Sequence, residues 1–214
     1  YLSKKNINTI DIIWKIHIYN DEVIFQSFEN AFILKNNRIK IMRPPSRFQF
    51  SFISGQRLFF QDISNGILEY KNGTLHSLQN TTALNKTEVW GIINLSATQL
   101  LISTLDKGLF LYENQQLKQW NTEANIFITK NSGLGGATIK NNYIALNSVL
   151  NGVIICDKFG KIIQHINRKK GLENNTVLTS YIDKKNNLWL GLDNGIAFIN
   201  ENSPFTFFGF SYNL

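Results

Sequence analysis

The 214 residues predict an all-β chain: a β-propeller of four-stranded antiparallel blades, about five of them present. Three observations carry this. A phrase recurs along the chain as VIFQSFENAFILK, LFFQDISNGILEY, LLISTLDKGLFLY, IALNSVLNGVIIC and LWLGLDNGIAFI. Its interval is about 42 residues, shorter between the first two copies, which is the length of one blade. Aligned on Ala31, Gly66, Gly108, Gly152 and Gly195, the positions six and three before the anchor and one and two after it are apolar in every copy. The chain as a whole is 43% apolar. Finally, Val, Ile, Phe and Tyr dominate, and no run shows the 3.6-residue period of a helix.

Each copy reads as a hairpin. Asn30, Asn65, Asn151 and Asn194 precede the anchor in four copies and Lys107 in the other. Asn-Gly between apolar runs signals a type I′ turn, which needs positive φ at both central residues. A strand precedes each hairpin: IIWKIHIY, FQFSFI, VWGIINL, a weak ATIKNNY, and VLTSYID. A fourth follows: RIKIM, TLHSL, QLKQW, KIIQHI and FTFFGF. Short turns such as Asn36-Asn37, Asn72-Gly73 and Phe159-Gly160 join them. The blades then span approximately 9–42, 47–78, 88–120, 134–166 and 176–210. Stacked blades cover each other's faces, so both faces of a strand can be apolar. A right-handed β-helix is the competing all-β reading, although its coils are usually about 20–30 residues. Five blades either close on themselves or belong to a seven-bladed ring.

Composition narrows the function classes. The chain is long enough for one compact domain or a large part of one. No run approaches a membrane span, and the start, YLSKKNINTI, has no apolar leader segment, so the chain reads as an excised part of a longer protein. Cys156 is alone, which excludes an intrachain disulfide and predicts a small buried hydrophobe. The formal charge of +7 is scattered over the repeats apart from Arg168-Lys169-Lys170, so no nucleic-acid surface is expected.

Residues 171–199, GLENNTVLTSYIDKKNNLWLGLDNGIAFI, resemble the two-component regulator propeller repeat, GL-x-x-N-x-V-x-x-I-x-x-D-x-x-G-x-L-W-x-G-T-x-x-G-L. Gly171, Leu172, Asn175, Val177, Asp183, Leu188, Trp189, Gly191 and Gly195 match. Asn186 stands where the family has Gly, and Leu192 where it has Thr. The segment NSPFTFFG at 202–209 is similar to the exit from such propellers in Bacteroidetes-type regulators with a triple-tyrosine domain. The other copies keep the hairpin without the Leu-Trp-x-Gly-Thr core. The resemblance implies an extracytoplasmic, periplasmic sensor region of an inner-membrane regulator. Triple-tyrosine and transmembrane modules would follow, with a histidine kinase or LuxR-type output acting in transcription regulation. It also implies a glycan or other small-molecule ligand, and a homodimer is a further expectation.

No catalytic constellation is legible. His17, His76 and His165 fall on different blades, without a second ligand at metal-binding spacing. Asp62, Asp106 and Asp193 sit in the inter-strand turns, where Asp bonds its own backbone. Gly133-Leu134-Gly135-Gly136 lacks the Lys-Ser/Thr of a phosphate loop and reads as a bend in the weak strand. Asn80, Asn85, Asn94 and Asn174 begin Asn-x-Ser/Thr triplets, as expected by accident in so Asn-rich a chain. Ligand contact is therefore expected from the loops between blades: 43–47, 80–88, 121–125 and 168–176. Arg47, Glu88, Trp90 and Asn175 are the candidate ligand-binding residues, with Trp90 alternatively a core residue of its strand. No cofactor and no metal are expected, and no enzyme activity. The alternatives are a propeller enzyme acting on glycans, as a lyase or glycosidase, and a WD40-like interaction scaffold, though no Trp-Asp repeat is present.

Overall fold

The computed structural model describes residues 12–140 and 143–200. The fourth strand expected at 205–210 and the exit segment 202–209 lie outside them. Two compact units divide the chain, residues 1–89 and 90–214.

The first unit holds two antiparallel sheets in strict hairpin order. One is β1 (Lys15–Tyr19), β2 (Glu22–Gln26), β3 (Ala31–Lys35) and β4 (Arg38–Met42). The other is β5 (Phe48–Ser54), β6 (Arg57–Asp62), β7 (Gly66–Lys71) and β8 (Thr74–Ser77). Between them lies one core, built from Ile24, Ala31, Ile33 and Met42 on the first sheet and Phe48, Leu58, Phe60, Leu68 and Tyr70 on the second.

The second unit holds three sheets. These are β9 (Val89–Asn94), β10 (Gln99–Thr104), β11 (Leu109–Glu113) and β12 (Gln116–Gln119); then β13 (Gly133–Ile139), β14 (Tyr143–Ser148), β15 (Val153–Cys156) and β16 (Ile162–Ile166); then β17 (Val177–Ile182), β18 (Leu188–Leu192) and β19 (Ile196–Ile199). The fourth sheet is covered on both faces. Leu146 and Ile154 pack with Leu101 and Leu109 of the third, while Val153 and Ile155 pack with Leu188 and Leu190 of the fifth. These sheets are propeller blades, and their antiparallel order excludes the β-helix, whose coils pair in parallel.

The structure corrects three local expectations. The type I′ turns are not at the repeat anchors. Positive φ at both central residues occurs at Asn20-Asp21, Asn36-Asn37, Asn72-Gly73 and Asn114-Gln115, in the first or last hairpin of a sheet. At the anchors only the glycine is left-handed, as at Gly66, Gly108, Gly152 and Gly195. The turn is instead held by a side-chain oxygen four places earlier. Thr104 Oγ1 accepts from Lys107 N–H at 3.1 Å, Ser148 Oγ from Asn151 N–H at 3.1 Å, and Asp62 Oδ1 from Asn65 N–H at 3.0 Å. Such local bonds give the turn an alternative to a mirror-image geometry.

Ala31 is also not the true anchor of the first copy. Ser27 N–H donates to Asn30 C=O at 2.8 Å, as Leu192 N–H donates to Gly195 C=O at 2.9 Å. Gln26 pairs with Ala31 as Gly191 pairs with Ile196. Asn30 therefore occupies the anchor place, and a slip of one residue exchanges the faces of the strand.

A helix, α1 (Glu123–Asn131), appears where a loop over 121–125 was expected. Thr122 caps it by accepting from Asn125 N–H, and Ala124 and Ile128, four apart, are its buried apolar side chains. One apolar pair is too short a pattern to register as helical periodicity. The Gly133–Gly136 stretch does interrupt its strand, with a register shift between those residues.

Candidate functional site

The positions chosen from the sequence serve mainly to join the chain to itself. Arg47 is exposed; its Nε is 3.2 Å from Glu29 Oε1, and its guanidinium lies 4.6 Å from the Phe28 ring centre. Asn175 Oδ1 accepts from Arg168 N–H at 2.9 Å, while its carbonyl accepts from Gly152 N–H at 2.7 Å. Glu88 is exposed, and Trp90 lies half-buried in β9. Arg47 and Glu88 belong to the first unit, Trp90 and Asn175 to the second.

The loops between blades are occupied in the same way. The backbone three places before an anchor is tied to the entering chain: Ile63 N–H to Arg47 C=O at 2.9 Å, Gly133 N–H to Leu105 C=O at 3.3 Å, and Val149 N–H to Ser132 C=O at 2.9 Å. Side chains add to this. Thr81 Oγ1 accepts from Ile67 N–H at 3.0 Å, and Asn125 Oδ1 accepts from Leu109 N–H at 2.7 Å.

Residues 171–199 have a structural logic of their own. Gly171 is left-handed at φ 99°, and Leu172 and Val177 are buried. Asp183 Oδ1 accepts from the N–H groups of Lys185 at 2.8 Å and Asn187 at 2.9 Å, and Oδ2 accepts from Trp189 Nε1–H at 3.1 Å. These bonds, Asn187 first and Trp189 second, lower the Asp183 carboxyl to about 2. Asn186, where the resembled repeat has Gly, takes φ 68°, a conformation Asn tolerates better than most residues. The matching residues of the phrase thus have roles in turning and tying the backbone.

Polar side chains buried near the ends of the second strands stitch neighbouring sheets. In the first unit Gln26 Oε1 accepts from Ser51 Oγ–H at 2.9 Å, and Ser51 Oγ lies 2.8 Å from His17 Nε2. Since the Ser51 proton is committed to Gln26, His17 donates to Ser51 and does not activate it. Burial, then the Lys15 charge, lowers His17 to about 4, against the opposing Ser51 hydrogen bond. Asn147 Nδ2–H donates to Ser180 Oγ at 3.2 Å in the second unit. The sequence pattern held a signal for this row: polar residues stand five places before the anchor at Gln61, Ser103 and Asn147.

Elsewhere, Cys156 is buried and free, its thiol pushed up to about 12 by burial first and the Asp157 charge second. Among the described residues no three His, Cys, Asp or Glu side chains come together. His165 Nε2 is 2.8 Å from Asn151 O, and His76 Nε2 is 2.9 Å from Thr74 Oγ1.

A cleft of about 610 Å³ opens between the two sheets of the first unit. It is lined by Tyr19, Glu22, Lys35, Arg38, Lys40 and Tyr70 and by the Asn20 and Asn72-Gly73 turns. Tyr70 O–H donates to Glu22 Oε2 at 2.7 Å, and Lys35 Nζ is 3.4 Å from Glu22 Oε1. Lys40 Nζ donates to Gly73 C=O at 2.9 Å. Burial first, then Glu22, raises the Tyr70 hydroxyl well above its ordinary range. Sequence reading passed over these residues because they meet only across two sheets.

The fold and these sites define a β-propeller. Similar solved structures include the extracellular domain of BT4673, a hybrid two-component system protein of B. thetaiotaomicron. It is 20% identical, the match covers 88% of this chain and 27% of that one, and the TM-score is 0.68. The extracellular domain of BT3049, a hybrid two-component system protein of the same organism, matches with 13% identity, 89% and 28% coverage, and a TM-score of 0.69. The WD40 propeller domain of Doa1 matches with 10% identity, 90% and 64% coverage, and a TM-score of 0.66. The chain thus spans about a quarter of the length of the extracellular domains it matches. At these identities the likeness is one of fold, and it is the fold that residues 171–199 led us to expect. No family model matches the chain, and no curated protein does. No helix among the described residues is long and apolar enough to cross a membrane.

Proposed function

We propose that this chain is a non-catalytic sensor propeller, the extracytoplasmic ligand- or partner-binding part of a membrane-associated signal-transduction regulator. The observation carrying this is a coincidence of two kinds of evidence. The 171–199 phrase resembles the repeat of such regulators, and the fold is shared with extracellular domains of hybrid two-component proteins. The hydrogen bonding supports a rigid scaffold: Ser51, the serine beside a histidine, has its proton committed to Gln26, and the loop residues are tied into neighbouring turns. A rigid propeller signals by a ligand's differential affinity for two arrangements of the modules around it. In the full protein those modules are a triple-tyrosine domain, a membrane helix and a kinase or helix-turn-helix output.

A reporter strain carrying the full-length regulator tests the reading, run beside thermal shift of this chain on the same panel of small molecules and glycan fragments. One compound is expected to raise the chain's melting temperature and to change reporter output, and to be recovered intact. Conversion of the compound by the purified chain would replace the sensor with the propeller-enzyme reading.

A further inference from the structure

We propose that the cleft between the first and second sheets is a binding site for an oxyanion: a carboxylate, sulfate or phosphate group carried by a small ligand. The inference stands independently of the regulator reading. Lys35 pairs with Arg38 across the β3–β4 turn, and Ile33 pairs with Lys40. Side chains alternate across a strand, so Arg38, Lys40 and Met42 share one face of β4. Met42 is buried in the core between the two sheets. Arg38 and Lys40 therefore stand on the side that meets the second sheet, and Ile39 between them also borders the cleft.

The second and third sheets do not repeat this positive charge at the matching places. In the register of the second sheet, Lys71 pairs with Thr74 and Glu69 with His76, and Lys71 Nζ is already 2.9 Å from Glu69 Oε2. In the third, Glu113 pairs with Gln116 and Leu111 with Lys118. Of these three sheets, the first alone sets cations side by side at these places, Lys35, Arg38 and Lys40, and Glu22 is the carboxylate among the described residues that line the cleft with them. Glu22 is spent on Lys35 and Tyr70, and Lys40 on a neutral carbonyl. The Arg38 side chain makes no hydrogen bond or ion pair among the described residues. Its planar guanidinium suits two-point contact with an oxyanion. The Tyr19 and Tyr70 rings, 6.1 Å apart and edge to face, floor the cleft for the body of the ligand.

Calorimetric titration of the whole chain with sodium sulfate, sodium phosphate and sodium acetate, at ionic strength held constant with chloride, tests this. Saturable binding of at least one oxyanion is expected, and the strongest of the three identifies the group recognised. Arg38→Gln should weaken it about tenfold or more, and Arg38→Gln with Lys40→Gln should abolish it. Glu22→Gln keeps an acceptor for Tyr70 but removes the opposing charge, so it should tighten binding several-fold. Lys169→Gln, in the cationic cluster of the second unit, should leave it unchanged. Equal binding by chloride, an unaffected Arg38→Gln variant, or equal loss in Lys169→Gln would each overturn the proposal. Circular dichroism of each variant separates a lost site from a lost fold.

Discussion

The fourth and fifth sheets carry the same repeat and differ in what lies beside them. The residue after the anchor is Val153 in one, wholly buried, and Ile196 in the other, 76% exposed. A Cβ on Gly152 would run into the Ile166 carbonyl, whereas the same addition at Gly195 meets nothing nearer than Glu173 Oε2 at 3.7 Å. Tyr181, Trp189 and Phe198 of the fifth sheet are exposed together, and Trp189 pairs with both Tyr181 and Phe198. Identical pattern therefore does not confer identical burial. A blade face becomes core only when a second blade covers it, and each blade's stability includes an interface term as well as its own.

The largest test of that difference is at the two glycines. Gly152→Ala must accept both a left-handed backbone and a carbonyl in its way, and should cost about 4 kcal/mol. Gly195→Ala carries the backbone strain alone, about 1 kcal/mol. Urea midpoints of the two variants measure this, and equal losses would mean the crowding at Gly152 is relieved by a small shift. Next in size is side-chain burial: Val153→Ala should cost about 2 kcal/mol and Ile196→Ala under about 0.5, read from the same unfolding curves.

The exposed aromatic face makes a further prediction. Ile196→Lys together with Phe198→Lys should reduce concentration-dependent association of the chain, seen by sedimentation, with little change in melting temperature. The smallest effect concerns Asp183. Its carboxyl lies below the ordinary value in the folded chain, so the stabilisation it provides is present above about pH 4 and is lost as pH falls through about 2. Trp189 emission should titrate with that midpoint, and Asp183→Asn should remove the transition.

Much of the fold was legible because it rests on local chemistry. The alternation of apolar residues, the small residues at the turns and the spacing of the copies all report backbone geometry within one hairpin. Features missed were those decided by one residue or by one neighbour. The anchor of the first copy is Asn30, not Ala31, because the first hairpin turns one residue earlier, and a period of two exchanges faces with that single slip. The helix over 123–131 was hidden because its buried surface is little more than Ala124 and Ile128, four apart. Among the candidate site residues, Arg47 and Asn175 proved to be held by Glu29 and Phe28 and by the backbone of Arg168 and Gly152. The cleft was illegible for a different reason: Tyr70 lies 48 residues from the Glu22 it bonds.

The sequence by itself determined that hairpins would form and that they would recur at a blade's interval, since these follow from dihedral preference and alternation within short segments. Tertiary structure alone decided which face of each strand is core, which glycines admit no side chain, and which charges share a cleft. Those outcomes depend on distances between segments remote in the chain, and burial and Coulomb interaction are properties of such distances rather than of residue type.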